Sequence, residues 1–151
     1  MTIQQRNRKM KQFKDNNKEV IEVFKNSYYH YYHYYHQSIL LFEDFQIFWN
    51  EQEDRTCGYC GISESYINSD SLSINTKRFY SRGKTMEIDK KDAFAGYAKD
   101  NIILSCYWCN NAKTDEYSIQ EFESIAKGIN TIWNQRLKRK IIHFPEKIYK
   151  H

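Results

Sequence analysis

Two C-x-x-C pairs, Cys57–Gly58–Tyr59–Cys60 and Cys106–Tyr107–Trp108–Cys109, bound what this chain can fold into. Tetrahedral zinc takes four thiolates, and two such knuckles supply them, so the pairs predict one structural four-cysteine zinc site. Two disulfides are the competing reading. The polar, basic start of the chain offers no apolar core of a secretory leader, so a cytoplasmic, reducing setting is expected, which favours metal over disulfide. Forty-five residues lie between the pairs, against about 15–20 in a simple zinc ribbon. The enclosed segment therefore needs structure of its own.

A length of 151 residues suits one domain with elaborations. We expect an N-terminal helical extension over 1–50, a ββα zinc domain over 51–116, and a C-terminal helix with a basic tail over 117–151. No run of about 18 apolar residues is present, which excludes a membrane span. Net charge is only +4, but it is unevenly placed: residues 1–25 hold seven Lys/Arg against three Asp/Glu, and residues 127–151 hold seven against one. The middle is acidic. Basic ends around an acidic centre suit arms that grip a polyanion and a centre that holds a cation. Nucleic acid is the expected partner, although charged tails that merely solvate a surface are common.

From residue 2 to residue 49 there is no Pro and no Gly, which predicts helix. Within it lies the tract Tyr28–Tyr29–His30–Tyr31–Tyr32–His33–Tyr34–Tyr35–His36. We read it as a half-buried aromatic helix with surface histidines, ahead of a metal row, a source of catalytic imidazole or a stacking surface for bases. A protein partner docking on that helix is a further reading. The Ser-, Asn- and Asp-rich stretch 62–76 is expected to loop out. Segments on either side of Arg82–Gly83, within 79–88, are expected to be β, as is 101–104 before the second knuckle. The unit is thus ββα, and the fold class α+β. Ser118–Ile119–Gln120–Glu121 is a capping box, followed by apolar residues at helical spacing. Lys138, Arg139 and Lys140 crowd the end of that helix, where cations suit the macrodipole and also phosphate. Pro145 stops it, and the last residues are expected to be loosely held.

Between and after the knuckles stand Glu87–Ile88–Asp89, Gly96–Tyr97, Asp100–Asn101–Ile102–Ile103–Leu104 and Cys109–Asn110–Asn111–Ala112–Lys113. Over residues 57–122 this pattern resembles the HNH endonucleases of the ββα-metal (His-Me finger) group, in their zinc-stapled branch. The resemblance implies a metal-dependent endonuclease acting on nucleic acid, DNA ahead of RNA, with magnesium or manganese held by Asp89 and the Asn110 carbonyl. Such ligands suit the chemistry, because Mg²⁺ takes a few protein oxygens and leaves places for phosphate and water. It further implies that Asn101 orients the general base across the hairpin and that Lys113 meets a phosphate. Arg82, Lys84, Lys91, Lys138, Arg139 and Lys140 are the cations expected to hold nucleic acid.

One position departs from the pattern. The family carries a general-base His directly after the Asp; here Lys90 stands there. A lysine with a pKa near 10.4 is protonated at neutral pH and accepts no proton. Loss of a general base costs on the order of 10²–10⁴ in rate. Lys90 therefore reads as a phosphate contact. The base would come from His30, His33, His36, His143 or a metal-bound hydroxide, with Glu87 and Asp92 nearer but weaker. The competing expectation is a catalytically degenerate HNH-fold subunit that binds nucleic acid or a partner protein. A phage or defence system would suit either.

Overall fold

A computed structural model describes residues 2, 4–5, 8, 11–12, 47–52, 54–138 and 141–150. The Tyr/His tract, most of the N-terminal helical extension, Arg139 and Lys140 lie outside the described residues.

The centre is a two-stranded antiparallel hairpin, β1 (Glu87–Lys90) and β2 (Ile102–Ser105). Its register pairs Glu87 with Ser105, Ile88 with Leu104, Asp89 with Ile103 and Lys90 with Ile102. Strand side chains alternate between faces. Glu87 and Asp89 thus share one face of β1, and Ile88 and Lys90 take the other. Every residue of β2 is buried, as its unbroken apolar run foretold. β2 runs through Cys106 into helix α2 (Tyr107–Lys113), where the Cys106 sulfur caps the helix by accepting from the Cys109 amide at 3.5 Å. The expected ββα unit is present, and the chain is α+β.

Helix α3 (Ile119–Arg136) starts at Ser118 through a complete capping box with Glu121. The box satisfies amide donors that a helix start leaves orphaned. Its inward residues Phe122, Ala126, Asn130 and Trp133 follow at spacings of four, four and three, which keeps them on one stripe. Phe122 meets Tyr59 edge-on at 5.3 Å between centroids, and Trp133 meets Trp108 in the same way at 5.0 Å. Buried Asn130 donates to Cys60 O at 2.8 Å and to Ile142 O at 3.0 Å, tying α3 to the first knuckle and to the returning tail.

Three local expectations are corrected. The segment at 79–83 is a π-helical turn (Phe79–Gly83), not a strand. Phe79 and Gly83, four residues apart, both face the interior there, and a Cβ on Gly83 would sit 3.2 Å from the Trp108 ring. The stretch 62–76 does not loop out as a whole. Ser63 caps a short helix, α1 (Glu64–Ile67), and a 3₁₀ turn (Asp70–Leu72) follows; between them they bury Ile67 and Leu72. The tail is not loose either: Tyr149, in a 3₁₀ turn (Glu146–Tyr149), is buried and donates to Tyr59 O at 2.9 Å.

Gly61 makes that tail packing possible. Its φ of +83° is a conformation that residues with a Cβ rarely adopt, and any Cβ would collide with His143 O. Gly61→Ala is expected to cost well over ~1 kcal/mol, read as a lower midpoint in urea unfolding, since strain and collision add.

Candidate active site and metal clasp

The four cysteine sulfurs all lie within 4.8 Å of one another, and all four residues are buried. They are free thiols, so the disulfide reading is set aside. The first pair sits on a turn closed by Gly61 N to Cys57 O at 2.8 Å and pinned to β2 by Gly58 N to Leu104 O at 2.8 Å. The second pair brackets the start of α2. One hairpin and one turn thereby bring together residues far apart in sequence. Burial pushes the Cys106 thiol up, and hydrogen bonding from Cys106 pushes Cys109 up. At Cys57 the burial effect is outweighed by S–H bonds from its neighbours, which pull it down. Buried sulfurs this close hold several negative charges only around a cation.

Asp89 lies behind this clasp. Its Oδ2 accepts from the Tyr59 hydroxyl at 2.8 Å and its Oδ1 from the Lys90 amide at 2.8 Å. Tyr59 is itself buried inside the first knuckle, so the clasp and the carboxylate are joined by one side chain. Burial raises the Asp89 pKa, against the opposing pull of Lys113 and of the Tyr59 hydrogen bond. Burial and the neighbouring Asp89 charge push the Tyr59 phenol well above its ordinary value. It is a firm donor.

Lys113 is not where the sequence placed it. Rather than meeting a phosphate at the surface, it is 1% exposed, donates to Lys90 O at 3.1 Å and stands 3.8 Å from Asp89 Oδ2. It is the buried counter-ion of Asp89. The reason is geometric: Lys113 ends the short helix that packs against β1, and its ammonium lies 5.9 Å from the Tyr59 ring centroid.

Asn110, on the same helix, donates through Nδ2 to Glu87 Oε2 and not to Asp89. Glu87 in turn takes a bidentate pair from Arg82, whose guanidinium also lies 5.1 Å from the Tyr107 ring centroid. The Glu87 contact raises the Arg82 pKa further, fixing its charge. The carbonyl end of the Asn110 amide makes no hydrogen bond among the described residues. Glu87 and Asp89 share a strand face and the Asn110 amide abuts it at Glu87; hard oxygen donors are what Mg²⁺ selects.

Asn101 is buried and staples the connection between the strands. It accepts from Asp92 N at 2.9 Å and donates to Asp92 O at 2.9 Å and Gly96 O at 2.6 Å. These bonds shape the connection over residues 91–100. Lys90 donates to Ala93 O at 2.9 Å and lies 5.1 Å from the Tyr97 ring centroid. Lys84 is exposed beside the Phe79 and Tyr80 rings, Lys91 is half-buried at the hairpin end, and Lys138 is exposed just past α3. His143 is exposed, with its backbone packed on Gly61. Sequence reasoning missed Tyr59 and the partnership of Glu87 with Asn110. Only the second left a signal, the period-two spacing of Glu87 and Asp89.

No protein-family model matches the chain, and no curated protein matches it. Among solved structures it is similar to PacI, a rare-cutting HNH restriction endonuclease for which an extraordinary mechanism of DNA perturbation is described. The TM-score is 0.62 at 28% identity, covering 78% of this chain and 81% of that one. This is an HNH-type fold. The fold that the sequence resemblance implied is thus shared with an HNH endonuclease, and the likeness covers 78% of the chain, more than the 57–122 core that carried it in sequence. Among the described residues, no helix is long and apolar enough to cross a membrane.

Proposed function

We propose that the chain is a metal-dependent HNH-type endonuclease that hydrolyses phosphodiester bonds, with DNA as the substrate ahead of RNA. The observation that carries this reading is the Asp89 carboxylate held by Tyr59 behind a four-sulfur clasp, in a fold shared with an HNH restriction endonuclease. The clasp would hold structural zinc, and Cys57, Cys60, Cys106 and Cys109 fit it in number and chemistry.

Asp89 and the Asn110 carbonyl would hold Mg²⁺ or Mn²⁺, and Glu87 adds a third oxygen donor to that face. Such an ion supplies charge neutralisation at the phosphate and at the departing oxygen. Tyr59 fixes the Asp89 carboxylate in place, and Lys113 balances its charge from inside. Arg82, braced by Glu87 and half exposed, is positioned to meet a phosphate oxygen with a fixed fork of donors. Lys90 serves as a phosphate contact rather than as the general base. Lys84, Lys91 and Lys138, with Arg139 and Lys140, extend the phosphate contacts.

The test is incubation of supercoiled plasmid, single-stranded DNA and RNA with Mg²⁺ or Mn²⁺. Metal-dependent nicking that vanishes in Asp89→Ala supports the reading, and cleavage unchanged by that substitution removes it. Tyr59→Phe keeps the packing on Phe122 and loses the hydroxyl's bond to Asp89 together with its longer contact, 3.4 Å, to Lys90 O. It is expected to cost about 1 kcal/mol in urea unfolding and to slow nicking about 10–100-fold, as for other groups that orient a metal ligand. The presence of Lys90 at the base position favours a second reading, a catalytically degenerate HNH-fold subunit binding nucleic acid or a partner protein. Metal-independent DNA binding with no cleavage in any metal is the result that selects it.

A further inference from the structure

A groove of about 1040 Å³, with neither Asp89 nor Asn110 in its lining, lies between residues 69–76 and the C-terminal end of α3. Ser71, Ser73, Asn75 and Thr76 line one side, and Arg136 and Lys138 line the other. No Asp or Glu side chain contributes to its walls. A smaller groove of about 490 Å³ beside the hairpin has the opposite character, with Asp92, Asp115, Glu116 and Glu121 among its lining residues. Of the two, only the larger suits a polyanion.

The larger groove also connects to the proposed active site. Thr76, on its edge, leads directly into Lys77 and Arg78, and then into the π-helical turn that ends at Arg82–Gly83. Lys77, Arg78, Arg82 and Lys84 are all exposed along that turn, and Arg82 is the guanidinium braced by Glu87 beside Asn110. A row of cations thus runs from the groove to the site without an intervening acidic residue in the sequence from 71 to 86. Phosphate backbones are held by Arg and Lys together with Ser, Thr and Asn side chains, and such contacts set position rather than sequence choice.

We infer that this groove binds the sugar–phosphate backbone of duplex DNA flanking the cleaved bond and sets where the substrate lies relative to Asp89. The inference rests on the endonuclease reading and extends it to a second contact surface built by the 62–76 insert. The groove residues act on register and affinity; none of them touches the reacting atoms.

The experiment measures affinity for a labelled duplex by fluorescence anisotropy across a NaCl series, in Mg²⁺-free buffer so that nothing is cut. Arg136→Gln/Lys138→Gln is expected to weaken binding on the order of tenfold and to reduce the slope of log K against log salt by about 2, one unit per lost phosphate contact. Asn75→Glu, an exposed position, is expected to weaken binding in the same direction without removing any cation. Lys147→Gln/Lys150→Gln makes the same charge change on the tail and is expected to leave the slope within about 0.5. A wild-type slope in Arg136→Gln/Lys138→Gln, or an equal loss in the tail variant, overturns the groove while leaving the endonuclease reading in place. Failure of the unsubstituted protein to bind any duplex overturns both.

Discussion

Stripping the zinc proposed for the cysteine clasp is expected to unfold residues 57–149 together, not merely to loosen one loop. Three otherwise separate parts of the fold hang on the first knuckle: β2 through Gly58 N to Leu104 O, α3 through Asn130 to Cys60 O, and the tail through Tyr149 to Tyr59 O. The two-stranded hairpin offers little to replace them, because an isolated hairpin is marginal in water. Structural zinc in small domains contributes about 10–16 kcal/mol at neutral pH, against a total stability of about 5–15 kcal/mol for a typical domain. The loss therefore exceeds the reserve. Chelation by phenanthroline, or Cys106→Ser, is expected to abolish the cooperative thermal transition in circular dichroism, with one equivalent of zinc released per chain on chelation. A chelated protein that melts like the untreated one would show that apolar packing alone holds the fold, and the clasp would lose its structural role.

That dependence explains why so much was legible from the chain itself. Metal ligands, caps and strand runs are local signals: the C-x-x-C spacing, the Ser118–Glu121 box and the Asn101–Leu104 run each name their structure within a few residues. Where the expectations failed, tertiary contacts decided the outcome. The segment at 79–83 has β-capable residues, yet the need to place Phe79 and Gly83 on one side against Trp108 makes it helical. The 62–76 stretch is polar in composition, but Ile67 and Leu72 recur far enough apart to anchor two short turns. At the site, the sequence names the residue types and not their partners. It matches Asn110 with Asp89, whereas the fold puts Glu87 opposite the Asn110 amide and leaves Asp89 to Tyr59 and Lys113. Sequence spacing marks a residue's face on its own strand or helix; it does not tell which neighbour lies across from it.

The Asp89–Lys113 pair is where that distinction matters most. Asp89→Ala is expected to reduce cleavage on the order of 10²–10⁴-fold, since a cation's stabilisation of phosphate charge amounts to several kcal/mol and each decade of rate is about 1.36. Lys113→Met is expected to act first on the fold. Removing one member of a buried pair strands the other charge, at about 3–5 kcal/mol, and urea unfolding of the zinc-loaded protein in Mg²⁺-free buffer should show a loss of that size. Replacing both, as Asp89→Asn/Lys113→Met, should recover most of it, because no uncompensated charge is then buried. The two single substitutions also differ toward Mg²⁺. Without the ammonium, the carboxylate has no counter-charge unless an ion arrives, so Mg²⁺ should raise the melting temperature of Lys113→Met more than that of the unsubstituted protein. It should leave Asp89→Ala unmoved. A Lys113→Met protein of normal stability whose DNA affinity has dropped and whose salt slope has fallen by about one would return Lys113 to the surface role read from the sequence. It would also require the ion pair seen at 3.8 Å to break when substrate binds.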